Sequence, residues 1–207
     1  MKLTIPVLVA SLALGLTASA HAAIAASAAE AKPLAAGARA PAVTLRAVDG
    51  SEFALAAAFA EKPTVLVFYR GSWCPFCNRQ LAALGELEPK LLALGYQIIA
   101  VSPDTAEGLR AMAGKNHLDY RLLSDRAMAA SAAYGVAFRL SPELEKSYGG
   151  HGVPLTPVPG GEGYWLPVPT VYLVGRDGVI KFAYSNPDYK VRLSSADLLA
   201  AADAAAK

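Results

Sequence analysis

Thr64-Val65-Leu66-Val67-Phe68-Tyr69-Arg70-Gly71-Ser72-Trp73-Cys74-Pro75-Phe76-Cys77 decides the reading of this chain. Residues 64–69 form an unbroken apolar, β-branched and aromatic run, the pattern of a strand buried on both faces. Arg70-Gly71-Ser72 interrupts the run as a short loop. From Cys74 to Leu94 the leucines at 81, 84, 87, 91 and 94 recur every three or four positions, which predicts a helix. Pro75 falls in its first turn, where a missing N–H is harmless, Pro89 is expected to kink it, and Gly95 to end it. A Cys-x-x-Cys pair thus sits where a central strand gives way to a helix.

Cys74 and Cys77 are the only two cysteines in 207 residues. A two-residue gap closes almost no loop, so a disulfide there would stabilise the fold little. In a first helical turn the pair is separated by roughly 5–6 Å, close enough for a Cys74–Cys77 bridge to open and close while the fold stays put. The free N–H groups and partial positive charge of a helix N-terminus favour a thiolate at Cys74. Thiols so placed have pKa values of roughly 3.5–7.5 in place of about 8.5. Cys77, one turn inside, is expected to be the more buried and to act as the resolving thiol. Arg70 stands in position to add positive charge at the sulfur, and Trp73 to form an apolar wall. Zinc needs four ligands, and only His117 and His151 lie beyond the N-terminal segment, without paired spacing, so no metal site is expected.

Lys2, the apolar run Leu3–Leu16 and Ala20-His21-Ala22 have the layout of a signal peptide over residues 1–22. The run of about 14 residues is short of the roughly 20 that a membrane span needs. An exported protein is expected, periplasmic in a Gram-negative host, with no membrane association after cleavage. Residues 23–36, rich in alanine, are expected to be a flexible lead-in, and 37–205 a single domain. The chain has 19 Lys+Arg against 17 Asp+Glu, scattered without blocks, which gives no sign of a nucleic-acid partner.

Further along, 43–48 and 51–55 flank Asp49-Gly50 as a hairpin, and 96–101 is a second buried strand. Asp104 is placed as the cap of a helix reaching about Leu118, 120–123 as a short strand, and Asp125 as the cap of a helix ending near Tyr134. Residues 171–174 and 179–184 flank Asp177-Gly178 as another hairpin, and Ser194 or Ser195 caps a last helix to Ala205. The order predicts an α/β thioredoxin-like sandwich, a mixed central sheet with helices on both faces and an N-terminal β-hairpin. The connection 139–168, rich in Gly and Pro, is long enough for a lid, with Tyr148, Tyr164 and Trp165 available to shape a groove and His151 expected to be a loop histidine.

Residues 37–200 resemble the alkyl hydroperoxide reductase/thiol-specific antioxidant (AhpC/TSA) family, the peroxiredoxin-like branch of the thioredoxin superfamily. The resemblance rests on 63–77, on Ile98-Ile99-Ala100-Val101-Ser102-Pro103-Asp104 and on Val168-Pro169-Thr170 running into 171–178. Val168-Pro169-Thr170 is similar to the thioredoxin segment whose cis-proline faces the dithiol, which implies a cis Pro169 that positions the substrate together with Val168. Pro75-Phe76 between the cysteines resembles the dipeptides of glutaredoxin-like oxidoreductases. Against the peroxiredoxin pattern Pro-x-x-x-Thr-x-x-Cys, Cys77 falls on the peroxidatic position, Arg70 stands for the proline and Cys74 for the threonine. The peroxide-binding arginine of that family falls on Pro169.

The reading of these features is an exported thiol–disulfide oxidoreductase in which Cys74 attacks and Cys77 resolves. It uses no bound cofactor and depends on a reducing thiol partner protein. A thiol-dependent peroxidase for hydrogen peroxide or alkyl hydroperoxides is the alternative, and a non-enzymatic module with a fixed disulfide a third. The substrate is accordingly a protein disulfide or a peroxide.

Overall fold

The computed structural model describes residues 24–155, 157–158 and 163–206. The expected signal peptide, residues 1–22, lies outside the described residues. The expected buried strands are the centre of the molecule. Strand β3 (Thr64–Phe68) is buried at every residue, pairs in parallel with β4 (Gln97–Ser102) and antiparallel with β8 (Thr170–Val174). β1 (Thr44–Ala47) and β2 (Glu52–Ala54) form the N-terminal hairpin, β5 (Arg121–Ser124) joins it to β4, and β9 (Ile180–Ser185) closes the far edge. The seven-stranded order β2-β1-β5-β4-β3-β8-β9 is the expected mixed sheet.

Alternation along the central strands sorts their side chains onto two layers. Val65, Val67, Ile98, Ala100, Val171 and Leu173 face one core cluster with Leu81, Leu84, Leu87 and Leu91 of α2 (Pro75–Ala93), Leu109 and Met112 of α3 (Ala106–Asn116), and Leu198 and Ala202 of α6 (Ser195–Ala205). Leu66, Phe68, Ile99, Val101, Tyr172 and Val174 face a second cluster with Leu55, Ala58 and Phe59 of α1 (Leu55–Glu61) and with Ala130 and Tyr134 at α4 (Ala129–Ala133). This is the thioredoxin-like α/β sandwich. Both cysteines belong to the first cluster, on the α2 side.

Several local expectations are corrected. Helix α1 follows the hairpin directly; its seven residues are too few for a sequence period to stand out. The lead-in is docked from residue 24 onward. Ala25 bridges Phe138, and Leu34 N–H donates to the Tyr134 carbonyl at 3.1 Å. A Cβ on Gly135, where φ is +69°, would fall 2.1 Å from the Lys32 carbonyl oxygen. The alanines that look featureless in sequence are small enough to lie flat on the body. Pro89 sits inside α2, which runs on to Ala93. The stretch 139–168 follows on from β6 (Ala137–Arg139) and contains α5 (Pro142–Gly150) and β7 (Trp165–Pro167), with β6 and β7 paired as a separate ribbon.

Leu81 is fully buried between α2 and the sheet. Leu81→Ala is expected to lower unfolding stability by about 2–5 kcal/mol, read as a lower urea midpoint with an unchanged slope.

Candidate active site

The strand-to-helix turn after β3 is held by side chains from three other places. Gly71 has φ +145°, and a Cβ there would fall 2.5 Å from Trp73 Nε1, so the turn accepts only glycine without rearrangement. Asp104 is turned inward. It accepts from Ser72 N–H at 2.8 Å, from Ser72 Oγ at 3.3 Å and from Ser102 Oγ at 3.0 Å. The helix that Asp104 was expected to cap is capped by Thr105, whose Oγ1 accepts from Gly108 N–H at 3.2 Å. Asp104 is the better acceptor for the buried turn because its carboxylate reaches two donors of Ser72 at once. Burial raises its pKa, and the hydrogen bonds from Ser102 and Ser72 oppose that rise. Asn78 donates to the Ser72 and Cys74 carbonyls at 2.7 and 2.9 Å and accepts from Asn116 at 3.1 Å, which fastens the turn to α2 and α3.

Cys74 is the N-cap of α2, with extended backbone (φ −85°, ψ 115°), and Pro75 opens the helix. Cys77 lies in the first turn. Both are free thiols in this structure, so the expected Cys74–Cys77 bridge is open here. Both are also buried from solvent, and Cys77 is the more deeply enclosed of the two. Trp73, Phe76 and Tyr189 pack against the cluster that holds them.

The two thiols are driven apart in acidity. The Cys74 pKa is lowered to about 6, first by the hydrogen bond from the Cys77 thiol, then by the Cys77 N–H and by the charges of Arg70 and Arg192, against the opposing effect of burial. The Cys77 thiol is pushed well up, by burial first and then by its role as donor to Cys74. Cys74 is thus the sulfur favoured as the thiolate and Cys77 the one favoured to hold the proton.

Arg70, expected to lend charge to Cys74, is buried, with Nη1 4.0 Å from Cys74 Sγ. Its guanidinium lies 4.0 Å from the ring centre of Tyr189, 4.8 Å from Trp73 and 5.3 Å from Tyr148, and Nη2 donates to the Tyr148 hydroxyl. Three aromatic faces hold a buried cation in place. Trp73 packs its ring 5.7 Å from that of Tyr148 of α5, the two planes tilted by 50°.

Val168 and Pro169, expected to face the dithiol, share a cavity with Arg70. With Phe138, Leu144 and Tyr148 they line a cavity of about 330 Å³. The implied cis bond is corrected: among the described residues no peptide bond is cis. Val168 N–H is taken by the Val136 carbonyl at 2.8 Å and Thr170 pairs with Phe68, so the chain passes extended from β7 to β8. His151 caps the C-terminal end of α5, with Nδ1 2.6 Å from the Ser147 carbonyl, remote from any role as a base.

One residue of the site escapes sequence reasoning. Arg192, in the turn before α6, donates from Nη2 to Cys77 Sγ at 3.5 Å, from Nη1 to Gln80 Oε1 at 2.6 Å and from Nε to the Tyr189 carbonyl at 2.7 Å. It is 115 residues from Cys77 in sequence, and no local signal marks it. The peroxiredoxin pattern places its arginine on Pro169 in this chain; here guanidinium groups reach the sulfurs from Arg70 and Arg192 instead. Among the described residues no group of three or more His, Cys, Asp or Glu side chains is gathered to hold a metal.

The sequence profile of the AhpC/TSA family matches residues 36–183. The chain belongs to the AhpC/TSA family. It is 29% identical over 146 residues to the chloroplastic peroxiredoxin Q of Suaeda salsa, covering 70% of this chain and 58% of that protein. The chloroplastic peroxiredoxin Q of Triticum aestivum is likewise 29% identical over 146 residues, with 70% of this chain and 57% of that protein covered. The chain therefore spans somewhat less than two thirds of these relatives. Among solved structures, peroxidoxin BcpB from Mycobacterium tuberculosis superposes with a TM-score of 0.66 at 20% identity, over 83% of this chain and 97% of that one. Peroxiredoxin Q from Xanthomonas campestris gives 0.63 at 22% identity, over 86% and 99%. At that identity the likeness is one of fold.

Thiolate absorbance at 240 nm of the reduced protein is expected to fall as pH is lowered through about 6, as Cys74 takes up its proton. Cys77→Ala and Arg70→Met should both move that midpoint upward, Cys77→Ala the further, because its hydrogen bond is the larger cause. A midpoint unmoved by Cys77→Ala would contradict this assignment.

Proposed function

We propose that this protein is a thiol-dependent peroxidase that cycles between the Cys74/Cys77 dithiol and an intramolecular disulfide. The observation that carries the proposal is the arrangement of the pair: Cys74 at the N-cap of α2 and Cys77 in its first turn, with Arg70 Nη1 4.0 Å from the first sulfur and Arg192 Nη2 3.5 Å from the second, an arrangement that lowers the Cys74 pKa and raises that of Cys77. Membership of the AhpC/TSA family and the likeness to peroxiredoxin Q favour peroxide as the oxidant over a protein disulfide. General thiol–disulfide exchange, the leading expectation from the sequence alone, becomes the second reading.

The Cys74 thiolate attacks the near oxygen of the hydroperoxide. The O–O bond breaks, the far oxygen leaves as an alcohol or water after taking a proton, and Cys74 becomes a sulfenic acid. Arg70, held by its three rings, offers positive charge where the leaving oxygen gains negative charge. Cys77 then attacks the Cys74 sulfur, expels water and closes the disulfide. Two electrons have passed from the dithiol to the peroxide, and a thiol reductant returns them. Phe138, Leu144, Val168 and Pro169 give the cavity beside Arg70 an apolar wall suited to an alkyl group of the hydroperoxide.

Purified reduced protein should consume hydrogen peroxide and cumene hydroperoxide in stopped flow, with a rate that rises as pH rises through about 6 and levels off above it. Cys74→Ser should abolish consumption. Cys77→Ser should still react once and accumulate a sulfenic acid on Cys74, trapped by dimedone and located by mass spectrometry. A sulfenic acid found on Cys77 in the Cys74→Ser protein at the wild-type rate would sink the assignment of roles. Insulin-disulfide reduction without peroxide consumption would favour the exchange reading.

A further inference from the structure

Cys77 Sγ has a cationic neighbour of its own, the Arg192 guanidinium at 3.5 Å. A cavity of about 380 Å³ opens between α2 and the turn that leads into α6. Arg79, Lys190 and Arg192 line it, and no carboxylate does. Among the described residues none of the three makes an ion pair. Arg79 lies over Phe76 at 5.3 Å and Lys190 over Tyr189 at 5.9 Å, so aromatic rings are the neighbours of both cationic heads. Two acids are nearby and both are engaged: the Asp197 carboxylate accepts from Ser194 Oγ at 2.6 Å, and Asp188 Oδ1 accepts from the Lys190 N–H at 3.0 Å. Leu84 and Leu198 supply an apolar floor. Three cations around a concave apolar floor of this size suit a small organic anion. Arg192 belongs to this cavity and also touches Cys77 Sγ at 3.5 Å, so an anion seated here lies next to a reacting sulfur.

We propose that this cavity binds a small thiol bearing carboxylates, the electron donor that reopens the Cys74–Cys77 disulfide. The proposal rests on the dithiol–disulfide cycle described above. The ligand's carboxylates pair with Arg79 and Lys190 and draw the Arg192 guanidinium toward them, uncovering Cys77. The ligand thiolate attacks Cys77 Sγ and a new S–S bond forms. The Cys74–Cys77 bond breaks, and its electron pair leaves on Cys74. Cys74 is the favoured leaving group because the Cys77 N–H and the charge of Arg70 still stabilise its thiolate while Cys77 is bonded to the ligand. A second ligand thiolate attacks the ligand sulfur of the mixed disulfide, and Cys77 departs and takes up a proton. Two thiols become one disulfide, and two electrons return to the protein. The cavity thereby assigns opposite ends of the pair to the two half-reactions: oxidation at Cys74 from the Arg70 side, reduction at Cys77 from the Arg192 side.

The full chain, oxidised with diamide so that peroxide plays no part, is mixed with glutathione, with glutathione diethyl ester or with dithiothreitol at equal thiolate concentration, and recovery of protein thiols is timed. Glutathione is expected to act about tenfold faster than its diester, the equivalent of one good ionic contact. Arg79 and Lys190 are exposed and make no contact with either sulfur. The double variant Arg79→Gln/Lys190→Gln should lose the preference and keep the wild-type rate with dithiothreitol. S-methylglutathione, which cannot exchange, should slow the glutathione reaction by competition. Equal rates for glutathione and its diester would overturn the proposal, as would a double variant slowed equally with dithiothreitol. If the preference holds but the reduced protein consumes no peroxide, the cavity stands and the peroxidase reading falls.

Discussion

β3 is hydrogen-bonded along both edges and buried on both faces, and the position of every reacting atom follows from that constraint. A strand so enclosed cannot shift register without moving a complete row of side chains from one core layer to the other. Its end is therefore fixed in space, and so is the turn that carries Arg70 to Cys74. Asp104, at the end of the neighbouring strand β4, is fixed by the same pairing, which is why its carboxylate meets Ser72. The sheet positions the turn, the turn positions the N-terminus of α2, and the helix N-terminus presents Cys74.

On that frame the chemistry is one of division between two like groups. Two thiols of the same intrinsic acidity are placed so that one donates to the other. Burial alone would raise both, and the donated hydrogen bond reverses the balance for Cys74 only. The pair titrates as a unit, so either sulfur's behaviour includes its neighbour's proton. Arg70 and Arg192 approach from different segments and lend charge to the same thiolate, while each touches a different sulfur.

A buried guanidinium needs partners, and Arg70 finds them in three rings drawn from separate parts of the chain: Trp73 in its own turn, Tyr148 in α5 and Tyr189 before α6. The segment 139–168 is thereby tied to the chemistry. Tyr148 contacts both Arg70 and Trp73, so the position of α5 is coupled to the position of the cation beside Cys74.

Elements whose signals lie within a turn or a strand length of one another can be read from the residues alone. The apolar run 64–68, the leucine period of α2, the Asp49-Gly50 and Asp177-Gly178 hairpins, the Ser194 cap and the Cys-x-x-Cys at a strand-to-helix junction are all local, and the structure has them where they read. Short elements with little period, α1 and α5, gave too few residues for a pattern. The lead-in looked unstructured because its docking uses backbone groups and small side chains that carry no signature. Only the tertiary structure decided which distant groups meet the sulfurs. Arg192 reaches Cys77 because β8 and β9 return beside β3 and set α6 against α2. Asp104 faces the turn and not the helix after it because the half-buried Ser72 N–H needs an acceptor. The segment at Pro169 stays trans because strands on either side keep it extended. Proximity of this kind depends on strand order and burial, which act on the folded whole and leave no mark at any single position of the chain.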